Sequence, residues 1–312
     1  MLPFAPSLSI RELTVADTEN VARLVNRMLA RSLYSVPMDG ETIQNQLFSL
    51  TPSTVYSVRW QRRQVLGTWR AGELIGLLDI ASGLDSESAE LPDYQPLGLI
   101  RFLVLPEAQE LVNEAAAALL GSAEHFWRQA RIGHIKAFHM STGYPQFQAG
   151  AGLLPSEWSD HVRVLTAHNY RFQQRYYCLY RQLDSELLEE VPPRLSLGLV
   201  MRGTPEDRHY QVFFRRTELI GEARLVVAQT MIDGKRVDVG HLAHWEVDQR
   251  WRNQKVGRWL LRRLINDASQ RNLRELVVFL QLHQSAAMNL VAQHGFVEHN
   301  YRGYTLEKAL PE

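Results

Sequence analysis

The stretch Val247-Asp248-Gln249-Arg250-Trp251-Arg252-Asn253-Gln254-Lys255-Val256-Gly257-Arg258-Trp259-Leu260-Leu261 constrains this chain more than any other. An apolar segment, Val237 to Val247, runs into it, and a helical pattern runs out of it. Val256, Leu260, Leu261, Leu264 and Ile265 recur at intervals of three and four, which sets them on one helix face. Between predicted strand and predicted helix lies a loop of Arg, Asn and Gln with a single Gly. Such a junction is an anion site: the first N–H groups of a helix lack intrahelical partners, and the dipole favours negative charge there. Arg250, Arg252, Lys255 and Arg258 add positive charge to that backbone. The competing reading is a solvated strand-to-helix turn with no ligand.

The residues that follow narrow the choice. Glu275 to Gln281 reads as a buried strand. Ser285 to His294 reads as a short helix with Ser285 as N-cap. Gly295-Phe296-Val297 and a final strand, Tyr301 to Leu306, complete the segment. The loop resembles the acetyl-CoA loop of the GNAT acetyltransferase superfamily, whose members typically read Val-x-Pro-x-Tyr-Arg-Gly-x-Gly-x-Gly-x-x-Leu-Leu. Val247, Arg252, Gly257, Leu260 and Leu261 match, and Gln254 and Val256 are common choices at the variable positions. Trp251 replaces Tyr and Gln249 replaces Pro. Asn253 stands where Gly is common, and Asn is the next most tolerant of left-handed backbone. Lys255 replaces the middle Gly. The element order, strand, loop, helix, strand, short helix ending in Gly-Phe, final strand, is also that of the superfamily.

The resemblance implies an acyl-donor site. By carry-over, Val247 lends backbone groups to the pantetheine arm of acetyl-CoA. Arg252, Asn253, Gln254, Lys255, Val256, Gly257 and Arg258 cradle the pyrophosphate. The strand before the loop splays from the next strand, and Gln284 falls where relatives often place an Asn against the donor. Acetyl transfer to an amine also needs a base, an oxyanion donor and a route for the thiolate to leave. His241, His244 and Glu246 lie on the strand before the loop. Strict alternation puts His244 and Glu246 on one face and His241 on the other. Glu246 or His241 is the base candidate; all three also fit as edge polar groups. Many relatives carry a Tyr acid four residues before the Gly of the Gly-Phe pair; here that position is Val291. Tyr301 or Tyr304 is the substitute, unless the thiolate leaves without a protein acid.

The 312 residues carry 34 Lys and Arg against 34 Asp and Glu, so bulk charge points to no nucleic-acid partner. No apolar stretch approaches the roughly 20 residues of a membrane helix. One cysteine, Cys178, allows no intrachain disulfide and reads as a buried thiol, and no metal-ligand spacing occurs. These features lead us to expect a cytoplasmic protein, with exposed strand edges that permit a homodimer.

Ahead of the loop, the chain repeats the superfamily's element order: strand, two helices, meander, helix, strand, helix, closing strands. We therefore expect an α/β fold with mixed α+β sheets: two GNAT-like domains in tandem, a degenerate one at 1–183 and an acetyl-CoA-binding one at 195–312. An acidic linker, 184–194, ends near Pro192-Pro193. The second copy has no room for the usual pair of front helices. In the first, aligning Val104 with Val247 brings Glu110 and Glu114 to the places of Asn253 and Gly257, where carboxylates repel a pyrophosphate. The expected activity is N-acetyl transfer from acetyl-CoA to a primary amine; the alternative is a non-catalytic acyl-CoA-binding or sensor protein. Asp85, Glu87, Glu90 and Asp93 in the 82–96 loop suggest a cationic acceptor.

Overall fold

The computed structural model describes residues 7–84 and 95–311, so the four carboxylates just named lie outside the described residues. The chain forms two compact units. One runs to Arg175 and takes in the chain again from Gly303; the other is Tyr176–Arg302. These bounds are not those of the expected copies, because the divisions fall inside two strands, Arg171–Gln182 and Val297–Ala309.

The first unit opens with β1 (Ser9–Glu12), α1 (Thr18–Leu29) and the short α2 (Gly40–Ile43), which passes into a π turn at Gln44–Phe48. It continues with β2 (Arg59–Arg70), β3 (Glu73–Leu84), β4 (Leu97–Val104), α3 (Gln109–Gln129), β5 (His134–Ala137), β6 (Leu154–Pro155), α4 (Ser159–Ala167) and the start of β7 (Arg171–Gln182). Neighbours run β1-β2-β3-β4-β5, and β4 and β5 are parallel. The β2–β3 hairpin turns on Ala71 and Gly72, both at positive φ, the twist that tight hairpins require. The stripe Val21, Leu24, Val25 of α1 and the stripe Val112, Ala116, Leu119, Leu120 of α3 bury against Leu77, Leu78 and Phe102 of the sheet. Asp17 occupies the N-cap position of α1, but its carboxylate turns back to the Thr14 N–H (3.0 Å) and to Arg11 (2.7 Å).

A charged cluster lies inside this core. The Asp79 carboxylate accepts from Arg63 (3.0 Å), Arg101 (3.1 Å) and the Tyr144 hydroxyl (2.7 Å). Arg101 is an inserted residue of β4, since Asp79 pairs with Phe102 and Ile80 with Ile100. That bulge tips a guanidinium into the interior, where it lies over the rings of Trp60 (4.9 Å) and Tyr144 (4.5 Å). Burial lowers the Arg101 pKa to about 10 and raises that of Tyr144. Two buried cations against one carboxylate persist because carbonyls of Gln46, Ser49 and Thr142 accept further N–H groups, although the Arg63 Nε has no partner among the described residues.

The second unit completes β7 and adds β8 (Leu197–Gly203), β9 (Asp207–Phe214), β10 (Glu218–Ile232), β11 (Lys235–Val247), α5 (Val256–Gln270), β12 (Glu275–Gln281), α6 (Ser285–Gln293) and the first half of β13 (Val297–Ala309). Strand order is β7-β12-β11-β10-β9-β8. No helix lies between β8 and β11. The predicted stripe of α5 buries with Tyr210, Val212, Ala223, Leu225, Leu242 and Leu276. The segment expected as a linker, 184–194, has no regular structure but is clamped along α5. The Asn266 amide bonds both the N–H and the carbonyl of Leu187, each at 2.7 Å, as a neighbouring strand would.

Candidate functional site

Two irregularities of β11 build the site. The first is its pairing with β12. Gly240 pairs with Leu276 and His241 with Val277, and there the parallel ladder stops. Both strands continue, β11 to Val247 and β12 to Gln281, so a gap opens between their C-terminal ends. The second is a bulge. Arg224 pairs with His244 but Leu225 pairs with Leu242, which leaves Ala243 as an inserted residue. Alternation therefore reverses there. Leu242, Trp245 and Val247 pack towards α5, while His241, His244 and Glu246 share the opposite face. This corrects the expectation that His241 lies apart from the other two.

Their environments differ. Glu246 and His244 are exposed, whereas His241 is only 1% exposed. The His241 ring meets the edge of Phe279 (centroids 5.6 Å apart), and Tyr301, 2% exposed, packs on the same ring at 6.3 Å. Of the three expected catalytic side chains, two are thus buried around one phenylalanine beside the point where the strands part, and one stands in solvent. Val291 is fully buried in the α5 core, so no hydroxyl occupies the position relatives use for an acid. Tyr304 belongs to the first unit.

The loop that follows β11 holds its own shape. Asp248 accepts the Arg250 N–H (2.9 Å) and pairs with the Arg250 side chain, which holds its carboxyl below the usual range. Trp251 packs on Phe214 (4.6 Å) and donates to Glu218 (3.2 Å). Asn253 and Lys255 are both left-handed, at φ 63° and 66°. Asn tolerates this; for Lys it costs about 1 kcal/mol or more, a strain found mostly where backbone groups must be aimed. Lys255 is the N-cap of α5 and makes no side-chain cap. Among the described residues, no acceptor meets the backbone N–H groups of Asn253 to Arg258. With the positive end of a 15-residue helix behind them, they form an open anion cradle.

Side chains divide around that cradle. Arg252 turns back, its Nε on the Val247 carbonyl (3.1 Å) and its guanidinium 3.7 Å from Glu246. Gln254 bonds the Arg250 carbonyl and Arg258 bonds Gln293. Lys255 is exposed, and Val256 anchors the helix in the core. An added Cβ on Gly257 would meet Val247, Trp245 and Leu290 at 3.5 to 3.8 Å, ordinary contact, so packing alone does not require glycine there. Gln284, not Ser285, is the N-cap of α6; its Oε1 accepts the Gln281 N–H at 2.8 Å.

The first unit lacks this arrangement. Only Leu105 to Ala108 separate β4 from α3, so Glu110 and Glu114 fall in the first turns of the helix rather than in a loop. The β4–β5 ladder also stops, after Ile100 and Ala137, but the region beyond is packed. Tyr144, Phe147 and Trp158 pack on Phe102, Phe147 stacks on Trp158 at 5.6 Å, and Phe138 meets the Trp158 ring at 6.5 Å. Among the described residues, no three His, Cys, Asp or Glu are grouped to hold a metal, and no helix is long and apolar enough to cross a membrane.

The family model for the Acetyltransferase (GNAT) family matches residues 171–296. No curated protein matches the chain by sequence. Among solved structures, 97% of the chain superimposes on a fungal multi-domain GH3 β-N-acetylglucosaminidase with a GCN5-related glucosamine N-acetyltransferase region (TM-score 0.72, 12% identity). The chain spans 38% of that protein's length. A tandem GNAT protein from the clavulanic acid biosynthesis pathway is covered over 100% of its length by 98% of this chain (TM-score 0.65, 14% identity). A GCN5-related N-acetyltransferase from Sphaerobacter thermophilus is covered over 95% by 97% (TM-score 0.62, 13% identity). At these identities the likeness is one of fold, and it extends to both copies of a tandem arrangement. Residues 171–296 are a domain of the GNAT acetyltransferase family.

Proposed function

We propose that the second unit binds acetyl-CoA and transfers its acetyl group to a primary amine. One observation carries the reading: a strand gap opens directly onto an uncapped helix N-terminus, a shape suited to a thin thioester arm joined to a pyrophosphate. The backbone of Val247 borders the gap. Arg252, Asn253, Gln254, Lys255, Val256, Gly257 and Arg258 form the pyrophosphate cradle, and Gln284 stands at the far rim. In the transfer, the neutral amine attacks the thioester carbon, its proton passes to a base, and coenzyme A leaves as the thiolate. Glu246 is our choice of base because it is exposed beside the gap. His241 and Tyr301 are the secondary candidates, as base and as acid, and both require the Phe279 region to open to substrate. The buried Cys178 fits a cytoplasmic site of action.

A second reading is an acyl-CoA sensor without catalysis. It is favoured by Val291 at the acid position and by the burial of His241 and Tyr301. Calorimetric titration with acetyl-CoA, followed by turnover across a panel of amines, separates the two. We expect one donor site per chain and acetylation of at least one amine. Binding without turnover supports the sensor, and no binding removes both.

A further inference from the structure

We propose that a second anion pocket beside the first turns of α5 receives the 3′-phosphate of the coenzyme A ribose, so that the protein selects the full coenzyme over its 3′-dephospho form. This rests on the donor reading above. The pocket, of about 370 Å³, is lined by Arg181, Arg258, Arg262, His294 and Glu190, with Gly295 at its wall. Three guanidiniums share one carboxylate, which lies 3.5 Å from Arg262 with its side chain 70% exposed. So exposed a pair neutralises little. His294 adds no compensation. Burial first, then the neighbouring arginines, holds its imidazole below its usual pKa.

The arginines are posed rather than spent. Arg181 donates to the His294 carbonyl (2.8 Å), while its buried Nε has no partner among the described residues. Arg258 gives one N–H to Gln293; Arg262 reaches the His294 ring (3.3 Å) and the Leu188 carbonyl (3.0 Å). A guanidinium carries five N–H donors, so several remain for a ligand. Gly295 makes the approach of Arg181 feasible: a Cβ there would collide with that guanidinium, and the backbone is at φ +78°. Position selects the ligand. Arg258 adjoins Gly257 in the pyrophosphate cradle, and Arg262 follows one turn later on the same helix face. Coenzyme A presents such a pair of anions, a pyrophosphate and a phosphate monoester on one ribose. A monoester dianion suits the planar forks of arginine.

The test measures affinity for acetyl-CoA and for 3′-dephospho-acetyl-CoA in the wild type, Arg262→Gln and Glu190→Gln, with inorganic phosphate as competitor. The wild type should prefer acetyl-CoA by about tenfold or more, the effect of one or two charged hydrogen bonds. Arg262→Gln should lose most of that preference while binding the dephospho form as before. Glu190→Gln, which removes the sole carboxylate, should enlarge it. Millimolar phosphate should weaken acetyl-CoA binding more than dephospho binding. Equal wild-type affinity for the two donors overturns the assignment and leaves the donor reading intact; absence of binding to either overturns both. Phosphate that binds through Arg262 without weakening acetyl-CoA would mark a site for the free ion instead, and also refutes the assignment.

Discussion

Gly257→Glu separates what the protein needs at this position from what a donor needs. Within the protein the change is tolerable, because the first added carbon meets Val247, Trp245 and Leu290 at ordinary contact distances and φ is not left-handed. Replacing a helical glycine gains up to about 1 kcal/mol, and a carboxylate in the first turn gains a few tenths more from the dipole. Folding stability should therefore hold or rise slightly. Binding should collapse. A carboxylate about 4 Å from a phosphate charge, at an effective dielectric near 20, repels it by about 4 kcal/mol. That equals roughly a thousandfold in affinity, and about a hundredfold if the side chain swings partly away. Gly257→Gln keeps the size and drops the charge, so it isolates the electrostatic part. Isothermal titration with acetyl-CoA reads the affinity, and thermal melting without ligand reads the stability. Wild-type affinity in Gly257→Glu would refute the cradle; equal losses in Gln and Glu variants would show that space, not charge, is decisive.

Other consequences concern the fold. His161 Nε2 lies 3.1 Å from the Leu103 carbonyl, and burial lowers its pKa to about 4. As pH falls through about 6.5 the unfolded ring takes a proton that the folded ring refuses until about 4, so stability falls across that window. Between pH 7 and 5 this amounts to about 2 kcal/mol, and His161→Gln should flatten urea-unfolding energies by that amount; parallel curves for both proteins would refute it. Asp79→Asn strands Arg63 and Arg101, 3% and 0% exposed in their side chains, and should cost about 3–5 kcal/mol by urea denaturation. A cost under about 1 kcal/mol would show that the surrounding carbonyls suffice. Asn266→Ala releases both bonds to Leu187 and should speed amide exchange there, at a cost of about 1–3 kcal/mol. Unchanged exchange at Leu187 would mean that other contacts hold the segment.

The strand–loop–helix junction at Val247 to Leu261 was legible because its information is local. A strand pattern, a basic turn and a 3.6-residue stripe occupy one short segment, and Glu275–Gln281 came out with its bounds intact. What the sequence hid depends on register. Ala243 carries no mark of an inserted residue, yet its insertion decides which face His241 takes. Arg101 sits in an apolar run and reads as a charge misplaced in a strand; only the fold brings Asp79, Arg63 and Tyr144 around it. Arg181 and Arg262 carry no such signal, because they are far apart in sequence and each alone resembles a surface cation.

The sharing of β13 between the units sets an order of events during synthesis. Leu306 to Ala309 pair with Ala137 to His134, so the sheet edge at β5 stays open until residues some 170 positions downstream have been made. A nascent chain released after Gln182 would present that edge to solvent and to its neighbours. The second unit, by contrast, draws its strands from one continuous span and can close as soon as Arg302 emerges. A chain stalled between residues 182 and 303 should therefore be prone to self-association, and the late arrival of Gly303 to Ala309 is the step that ends this exposure.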